Sequence, residues 1–465
     1  MAAVGETPRV NVETDDIQSL VFTGHGDQPA SIALWLEATG DVAAAREGLC
    51  GLVYEDEVWF GRRERSAEPR LHLALSAAGL RALDAPGDQL EQLERPFRQG
   101  MVTPRRSRAL GDRGRNDPAG WSWGDRAAHA LLLIYAPTPD SARARAAALV
   151  DRLAPGWRPL HELAIHLPDH GREPFGFRDG IARTRIAWDG DGRDRPGLDS
   201  LPPGEVLLGH RDAVERVREV PTLAANGSYL VARQLEQDVA GFWRFWLECA
   251  EGDADSALWL ASKAVGRWPN GMPIRGSSPS PEPAADEAAI LAGPSFGDDP
   301  HGEHCPRGAH VRRSNPRDAL TADAQRSRDI VALHRLHRRG RMYGADAPLD
   351  WYPQALRAAL PAGGDAEAER GLLFMTLCGD IARQFEFVQQ SWLAHPKFAD
   401  LFDEVDAIAG GDQIPGDAGH LTIPQGSGPR ALRRRLAGVK GWVTVRGGGY
   451  FLLPGRRAIL DVLAP

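Results

Sequence analysis

The sequence predicts an α+β protein built from two ferredoxin-like βαββαβ domains that arose by internal duplication. An apolar strand followed by a helix occurs four times along the 465 residues, twice in each half. Asp or Ser stands at each junction, where its side chain can accept hydrogen bonds from free amides of the first helical turn. No strand leads into a glycine-rich phosphate loop, since Arg446–Gly449 lacks the GxGxxG spacing, and this argues against a doubly wound fold.

The first half contains two of these units. Ser31–Leu36 reads as a strand, and a helix follows from Asp41 through about Leu52. His129–Tyr135 is the next strand, and Ser141 is the predicted cap of a helix from Ala142 to Leu153.

The second half repeats the pattern. Ser228–Arg233 is a strand that leads through Asp238 into a helix carrying Phe242 and Trp243. Gly371–Leu377 leads through Asp380 into a helix that reaches Trp392. A boundary near residues 205–225 separates the halves, so we predict domains spanning 1–215 and 216–465.

The composition, with 42% hydrophobic and 25% charged residues, is that of a folded globular protein, and 465 residues are more than one ordinary core contains. The formal charge of −8 argues against a nucleic-acid partner. No apolar run reaches about 18 residues, so no membrane span is expected. The N-terminus lacks a basic region before an apolar core, and the four cysteines show no CxxC spacing. We therefore expect a cytoplasmic protein with reduced thiols.

One short segment is unusual in its chemistry. Residues 305–317 read CPRGAHVRRSNPR, which sets His310 among arginines. A histidine can coordinate a metal, while guanidinium groups hold an anionic ligand through bidentate hydrogen bonds. Haem needs both, an axial imidazole for iron and cations for its propionates. Zinc is disfavoured here, because the adjoining arginines would repel a dication.

Two further segments accompany it: residues 175–181 read FGFRDGI, and residues 337–344 read HRRGRMYG. Taken together in chain order, the three segments resemble the dye-decolorizing peroxidases, haem enzymes that use hydrogen peroxide. Asn226–Tyr229, Lys263–Pro269 and Val443–Phe451 also resemble the family, so the likeness covers most of the chain. The resemblance implies duplicated ferredoxin-like halves, similar to a dimeric α+β barrel, with one haem b per chain in the C-terminal half.

The resemblance also implies site residues. The proximal iron ligand falls on His310 and a propionate-binding arginine on Arg317. The distal acid falls on Asp179, in the N-terminal domain, and the distal arginine on Arg338. Arg339 and Arg341 are immediate rivals of Arg338, and only the family register favours Arg338.

These residue types suit peroxide chemistry. Cleavage of the oxygen–oxygen bond requires a proton to move from one peroxide oxygen to the other, and a carboxylate such as Asp179 can shuttle it. A nearby guanidinium, that of Arg338, favours the ionised carboxylate and stabilises negative charge developing on the peroxide.

A proximal histidine usually donates its second ring N–H to an acceptor. The family supplies an aspartate from a D-P-x-x-G turn, and this chain has Asp406 in DAIAG, with alanine in place of proline. Asp400 and Asp403 remain possible. Leu372 and Phe374 resemble the apolar residues that line the distal haem face, although both could be ordinary strand-core side chains.

Bulky dyes cannot enter a small haem pocket, so their electrons must reach the haem through surface aromatics. Tyr343, five residues after Arg338, matches a tyrosine that some relatives use as a radical relay. A surface tyrosine packed on a turn is an equally good interpretation, and Trp351 and Trp392 are alternatives among the 13 tryptophans.

The sequence thus predicts a monomeric or homodimeric haem peroxidase that reduces hydrogen peroxide and oxidises dyes, phenols and other aromatic reductants through a ferryl intermediate. The alternative is a haem-binding or haem-handling protein of the same fold with incidental peroxidase activity. A ferredoxin-like interaction module without cofactor would leave His310 unexplained.

Overall fold

Antiparallel strands form a ring that joins the two halves of the chain. The computed structural model describes residues 13–63, 67–168, 171–182, 184–188, 199–276, 282–345, 369–411, 419–426, 428, 430–439 and 441–464. Their strands are β1 Ala30–Ala38, β2 Arg70–Ser76, β3 Trp123–Gly124, β4 Ala130–Ala136, β5 Trp157–His166, β6 Thr184–Ile186, β7 Asp199–Leu201, β8 Ser228–Gln237, β9 His337–Arg338, β10 Arg341–Gly344, β11 Arg370–Cys378, β12 His420–Gln425, β13 Leu432–Ala437 and β14 Val443–Leu453.

Helices connect these strands. They are α1 Val42–Tyr54, α2 Ala77–Ala82, α3 Gly87–Gln92, α4 Arg95–Gln99, α5 Pro104–Leu110, α6 Pro139–Leu153, α7 Val239–Cys249, α8 Ala254–Val265, α9 Glu287–Ala292, α10 His310–Ser314, α11 Ala324–Ala332, α12 Ala382–Glu386, α13 Val388–Leu393 and α14 Ala458–Val462. Single 3₁₀ turns cover Thr14–Asp16, Ser19–Val21, Gly114–Asn116, Pro118–Gly120, Pro203–Glu205, Thr222–Ala224 and Phe398–Asp400. None of the helices in the described part of the chain is both long and apolar enough to cross a bilayer.

Both halves have the same strand order. In the first half β1, β2, β4 and β5 lie in the spatial order β5–β1–β4–β2, with α1 and α6 as the two crossovers. In the second half β8, β10, β11 and β14 lie in the order β14–β8–β11–β10. Each half therefore places its strands in the order fourth, first, third, second, which confirms the predicted α+β fold with ferredoxin-like halves.

Two pairings close the ring. β14 pairs with β2 through Phe451 and Leu452, and β10 pairs with β5 through Met342 and Tyr343. A continuous strand ring has no free edges. The halves thus share one sheet, and the proposed boundary at residue 215 stays a prediction.

Successive side chains along a strand point alternately to two hydrophobic cores, one under the helices and one inside the ring. On β1, Ile32 and Leu34 pack towards α1 and α6, whereas Ala33 and Trp35 point into the ring. The interior of the ring also holds Leu133 of β4 and residues of β8, β11 and β14. This period of two is the pattern expected of strands buried on both faces.

Three of the four predicted helix junctions are confirmed, and one is wrong. Asp41 and Asp238 each accept a hydrogen bond from an amide three residues later, and Asp380 does the same for the amide of Arg383. Ser141 does not cap its helix, since its own amide donates to Thr138. Pro139 starts α6 earlier than predicted, because a proline fits the first helical position.

Candidate active site

A cavity of about 310 Å³ opens beside the strands of the second half. Its walls come from β8, β11 and β14, from α10 and α13, and from a loop between β5 and β6 that carries the FGFRDGI segment. This arrangement brings together side chains that are distant in the chain: Asp179 and His310 both line the cavity, and so does the turn at 408–411, more than 200 residues after Asp179.

His310 begins α10 and faces the cavity with a buried carboxylate behind it. Its Nδ1 lies 3.1 Å from both carboxylate oxygens of Asp406. The ring is 31% accessible and the Asp406 side chain 0%, so the remaining nitrogen, Nε2, is the one open to the cavity. Burial lowers the pKa of His310, but the Asp406 carboxylate outweighs burial and raises it above its usual value.

The Asp406 carboxylate is held in place by its own turn and by a neighbouring arginine. Its Oδ1 accepts the amides of Ile408 at 2.9 Å and Ala409 at 2.7 Å. Arg313 is fully buried and donates to four backbone carbonyl oxygens between residues 392 and 404, just before this turn. Burial lowers the pKa of Arg313 to about 10, and the carbonyl oxygens accept hydrogen bonds from its buried guanidinium. The acceptor for His310 is therefore fixed in position.

Asp179 and Arg338 form an open ion pair on the cavity wall. The Arg338 guanidinium lies 3.4 Å from Asp179 Oδ1, and the side chains are 41% and 49% exposed. Arg338 comes from β9, which pairs with β11, whereas Asp179 comes from the FGFRDGI loop. The loop needs Gly176 and Gly180, since their φ angles of 95° and 73° lie in the left-handed region that glycine favours.

Apolar and cationic side chains complete the walls. Leu372 and Phe374 of β11 point into the cavity, while Leu373 between them points into the ring. Arg317 also lines the cavity, and its buried Nε has no hydrogen-bond partner among the described residues. Neither side-chain polar atom of the buried Asn315 has a partner there either. Unsatisfied buried donors of this kind are the groups that a polar or anionic ligand would satisfy.

The rival residues are engaged elsewhere. Arg339 donates to the carbonyl oxygens of Leu20 and Val21, and Arg341 donates to those of Gly24, His25, Gln28 and Pro29. Asp400 contacts Arg307, and Asp403 pairs with Arg435. None of these four side chains lines the cavity.

Tyr343 does not lie where we expected. Both interpretations of Tyr343 place it at the surface, but it is only 2% exposed and packs inside the strand ring. The reason is that β10 closes the ring, so Tyr343 pairs with Gly371 and faces away from Leu372. Trp392 is likewise buried, and Trp351 lies outside the described residues. The relay role of Tyr343 stays a prediction.

Sequence reasoning missed two further groups on the cavity wall. Glu173 stands two residues before the FGFRDGI segment, and an acidic residue so close to a candidate distal acid could have pointed to it. Arg233 of β8 and Asp112 form a buried ion pair on the same wall. No local signal indicated that pair, since its members are 121 residues apart.

Comparison with known proteins gives consistent results. No family model matches the chain. The chain is 27% identical over 417 residues to dye-decolorizing peroxidase msp1 of Mycetinis scorodonius. The aligned stretch covers 85% of this chain and 76% of that protein.

Two solved structures have the same fold. One, from the analysis of an ancestral D-type dye-decolorizing peroxidase, superposes with a TM-score of 0.78 at 24% identity, covering 98% of this chain and all of the other. The second is a dye-decolorizing peroxidase in complex with 2,6-dimethoxyphenol, with a TM-score of 0.77 at 23% identity, 98% of this chain and all of that chain.

Proposed function

Because this chain belongs to the dye-decolorizing peroxidase family, we propose that it is a haem peroxidase that reduces hydrogen peroxide and oxidises bulky dyes, phenols and other aromatic compounds. One observation supports this best. A carboxylate-backed histidine and an aspartate–arginine pair open on a single cavity.

The residues of this cavity fit haem b. His310 would hold the iron through Nε2, since Asp406 occupies Nδ1 and fixes the ring. Arg317 has a buried Nε without a partner among the described residues, which suits an anionic propionate. Leu372 and Phe374 offer apolar surface for the macrocycle. When bound, haem supplies an iron that binds peroxide and accepts its oxidising equivalents.

Asp179 would transfer a proton during peroxide cleavage, and Arg338 would stabilise negative charge. The Asp179 carboxylate would take the proton from one oxygen of hydrogen peroxide and return it to the other, which then leaves as water. The Arg338 guanidinium would stabilise the negative charge that develops as the oxygen–oxygen bond breaks. Both groups are half-exposed to the cavity, so peroxide can approach them.

A haem-binding or haem-handling role needs neither of these groups. The Asp179–Arg338 pair therefore favours the peroxidase over that alternative. We assign the protein to the cytoplasm, because all four of its cysteines are free, as expected in a reducing compartment.

The test is a visible spectrum of the purified protein before and after one equivalent of peroxide. We expect a Soret band that changes within seconds in the parent. In Asp179→Asn and Arg338→Leu, haem content should be unchanged while the spectral change slows by about 10²–10³-fold in each. The control is Asp403→Asn, which removes a carboxylate outside the cavity.

Each other outcome contradicts a different part of the proposal. A colourless protein that takes up no added haem would exclude a haem function. A haem protein whose spectrum does not change on addition of peroxide would support the haem-handling alternative. If both variants react at the parent rate, the distal assignment is wrong.

A further inference from the structure

A second carboxylate, that of Glu173, organises the loop that carries Asp179. Its Oε2 accepts the amide of Phe175 at 3.0 Å, and its Oε1 accepts the amide of Phe177 at 2.9 Å. The side chain of Gln237, on β8, donates to Oε2 at 2.8 Å. The carboxylate thus binds both amides flanking Gly176 and ties them to the sheet.

The backbone adds to this arrangement. The amide of Glu173 donates to the carbonyl oxygen of Phe177, and the amide of Gly176 donates to that of Glu173. The loop then turns so that the amide of Asp179 donates back to Gly171. Position and direction of Asp179 therefore depend on a turn whose inner side is filled by the Glu173 carboxylate.

Glu173 also lines the cavity, together with Asp179 and Gln237. Burial raises the pKa of Glu173 to about 7, against the hydrogen bonds from Gln237, Phe177 and Phe175, and the negative charge of Asp179 adds to the rise. A partly buried acid beside a like charge is costly where only packing is needed. Such a group is more common at functional sites.

We propose that Glu173 is the positioning residue of the distal site: its carboxylate holds the 173–179 loop in the conformation that presents Asp179 to the cavity. The inference depends on the proposed function, since it concerns how Asp179 is set up for proton transfer. Three fixed N–H donors match the acceptor-only carboxylate. A glutamine there would place an NH₂ group against at least one of them.

A second contact of the same loop supplies a matched control. Arg178, which lies between Phe177 and Asp179, forms a bidentate ion pair with Glu287 of α9 at 2.8 and 2.9 Å. Both side chains are at the surface, 34% and 59% exposed, and exposed pairs contribute little. Glu287→Gln thus removes a carboxylate that contacts the loop, and Glu287 itself does not line the cavity.

The experiment measures two rates in the haem-loaded protein. The first is the reaction with peroxide, and the second is the binding of cyanide, which enters as hydrogen cyanide and must give up its proton. We expect Glu173→Gln to slow both by about 10- to 100-fold, because displacing a catalytic group by about 1 Å costs that much. Glu287→Gln should match the parent, and Glu173→Asp should recover part of the loss.

A double-mutant cycle separates positioning from general damage. If Glu173 acts through Asp179, Glu173→Gln should slow the Asp179→Asn variant less than twofold. Equal slowing in both backgrounds overturns the proposal, as does a parent-like rate in Glu173→Gln. If Glu173→Gln does not retain haem, Gln237→Met removes one donor to the carboxylate and should slow the peroxide reaction to a lesser extent. A parent-like rate in that variant overturns the proposal as well.

The two proposals fail in different ways. A parent protein that binds haem but does not react with peroxide contradicts the proposed function. A parent that reacts normally, with Glu173→Gln equal to it, contradicts only the positioning role.

Discussion

The helix-covered faces of the two ferredoxin-like halves differ, although their strand order is the same. In the first half, the face formed by β1 and β4 is filled: Ile32, Leu34, Leu132 and Ile134 are each at most 1% exposed. In the second half, the corresponding face of β8 and β11 opens on the cavity through Arg233, Leu235, Leu372 and Phe374. Topology alone does not decide which half holds a site.

The difference comes from where the helices pack. Residues of α1 and α6, such as Leu49 and Leu149, belong to the same core as the strands beneath them. In the second half, Phe242 and Trp246 of α7 pack with α8 and with the β12–β13 hairpin instead. The strand face is left uncovered, and α10 with His310 comes to lie at its side. The cavity thus lies where α7 packs away from the strands instead of covering them.

The largest expected effect concerns the open half. His310→Ala should lose tightly bound haem while still folding, because Nε2 is the ring nitrogen open to the cavity and no group of three or more His, Cys, Asp or Glu in the described residues is arranged to hold a metal. Absorbance at the Soret band, compared with the unfolding transition, measures both. Asp403→Asn is the control, since Asp403 pairs with Arg435 outside the cavity. A full Soret band with unchanged ferric ligation would refute the assignment.

Matched truncations in the two halves test the comparison itself. Leu132→Ala on β4 should lower the free energy of unfolding by about 2–5 kcal/mol, because it leaves a void in a closed core. Leu372→Ala on β11 should cost less in the haem-free protein, since its side chain already borders a cavity. Urea unfolding of both variants without haem gives the two values. Equal losses would mean that the second half is packed as tightly as the first.

Buried histidines of the first half should make the fold sensitive to acid. His25 Nε2 lies 2.8 Å from His72 Nε2. Burial, followed by Arg70, Arg341 and Arg339, lowers the pKa of His25 to about 3, and burial lowers that of His72. Below about pH 6.5 the unfolded chain takes up protons that the folded chain excludes, so stability falls as pH drops towards 3.

The expected slope is up to about 1.4 kcal/mol per pH unit for each excluded proton. Urea unfolding between pH 6.5 and 4.5 measures it. His72→Gln should flatten the slope, whereas His301→Gln, outside this cluster, should leave it unchanged. A parent protein equally stable at both pH values would contradict the prediction.

Local patterns predicted what depends on local chemistry. The cap at Asp238 and the strand at 371–377 follow from propensity and spacing. Asp406, which contacts His310, came from the family resemblance instead, despite the alanine in its turn. The prediction that failed depends on ring closure. β10 pairs with β5, Met342 with His166 and Tyr343 with Ile165, and this pairing buries Tyr343. The Arg233–Asp112 pair was missed for the same reason, since no window of sequence contains both.

The smallest expected effect concerns that tyrosine. Tyr343 packs inside the ring, on the opposite face of the sheet from Leu372 and Phe374. A bulky dye cannot contact a side chain that is 2% exposed, so Tyr343 could serve only as an interior step for electrons. Burial raises the pKa of its phenol, so the hydroxyl keeps its proton in the folded chain.

Tyr343→Phe keeps the ring and its packing, so any effect should be chemical. We expect the peroxide reaction to be unchanged and the turnover of anthraquinone dyes to slow by a small factor, with small phenols unaffected. Stopped-flow mixing and steady-state turnover measure the two steps. Tyr54→Phe is the control, because Tyr54 is 68% exposed and lies at the end of α1 in the closed half. If Tyr343→Phe oxidises dyes and phenols in the parent ratio, electrons reach the cavity by another aromatic residue, and the ring interior serves only to hold the two halves together.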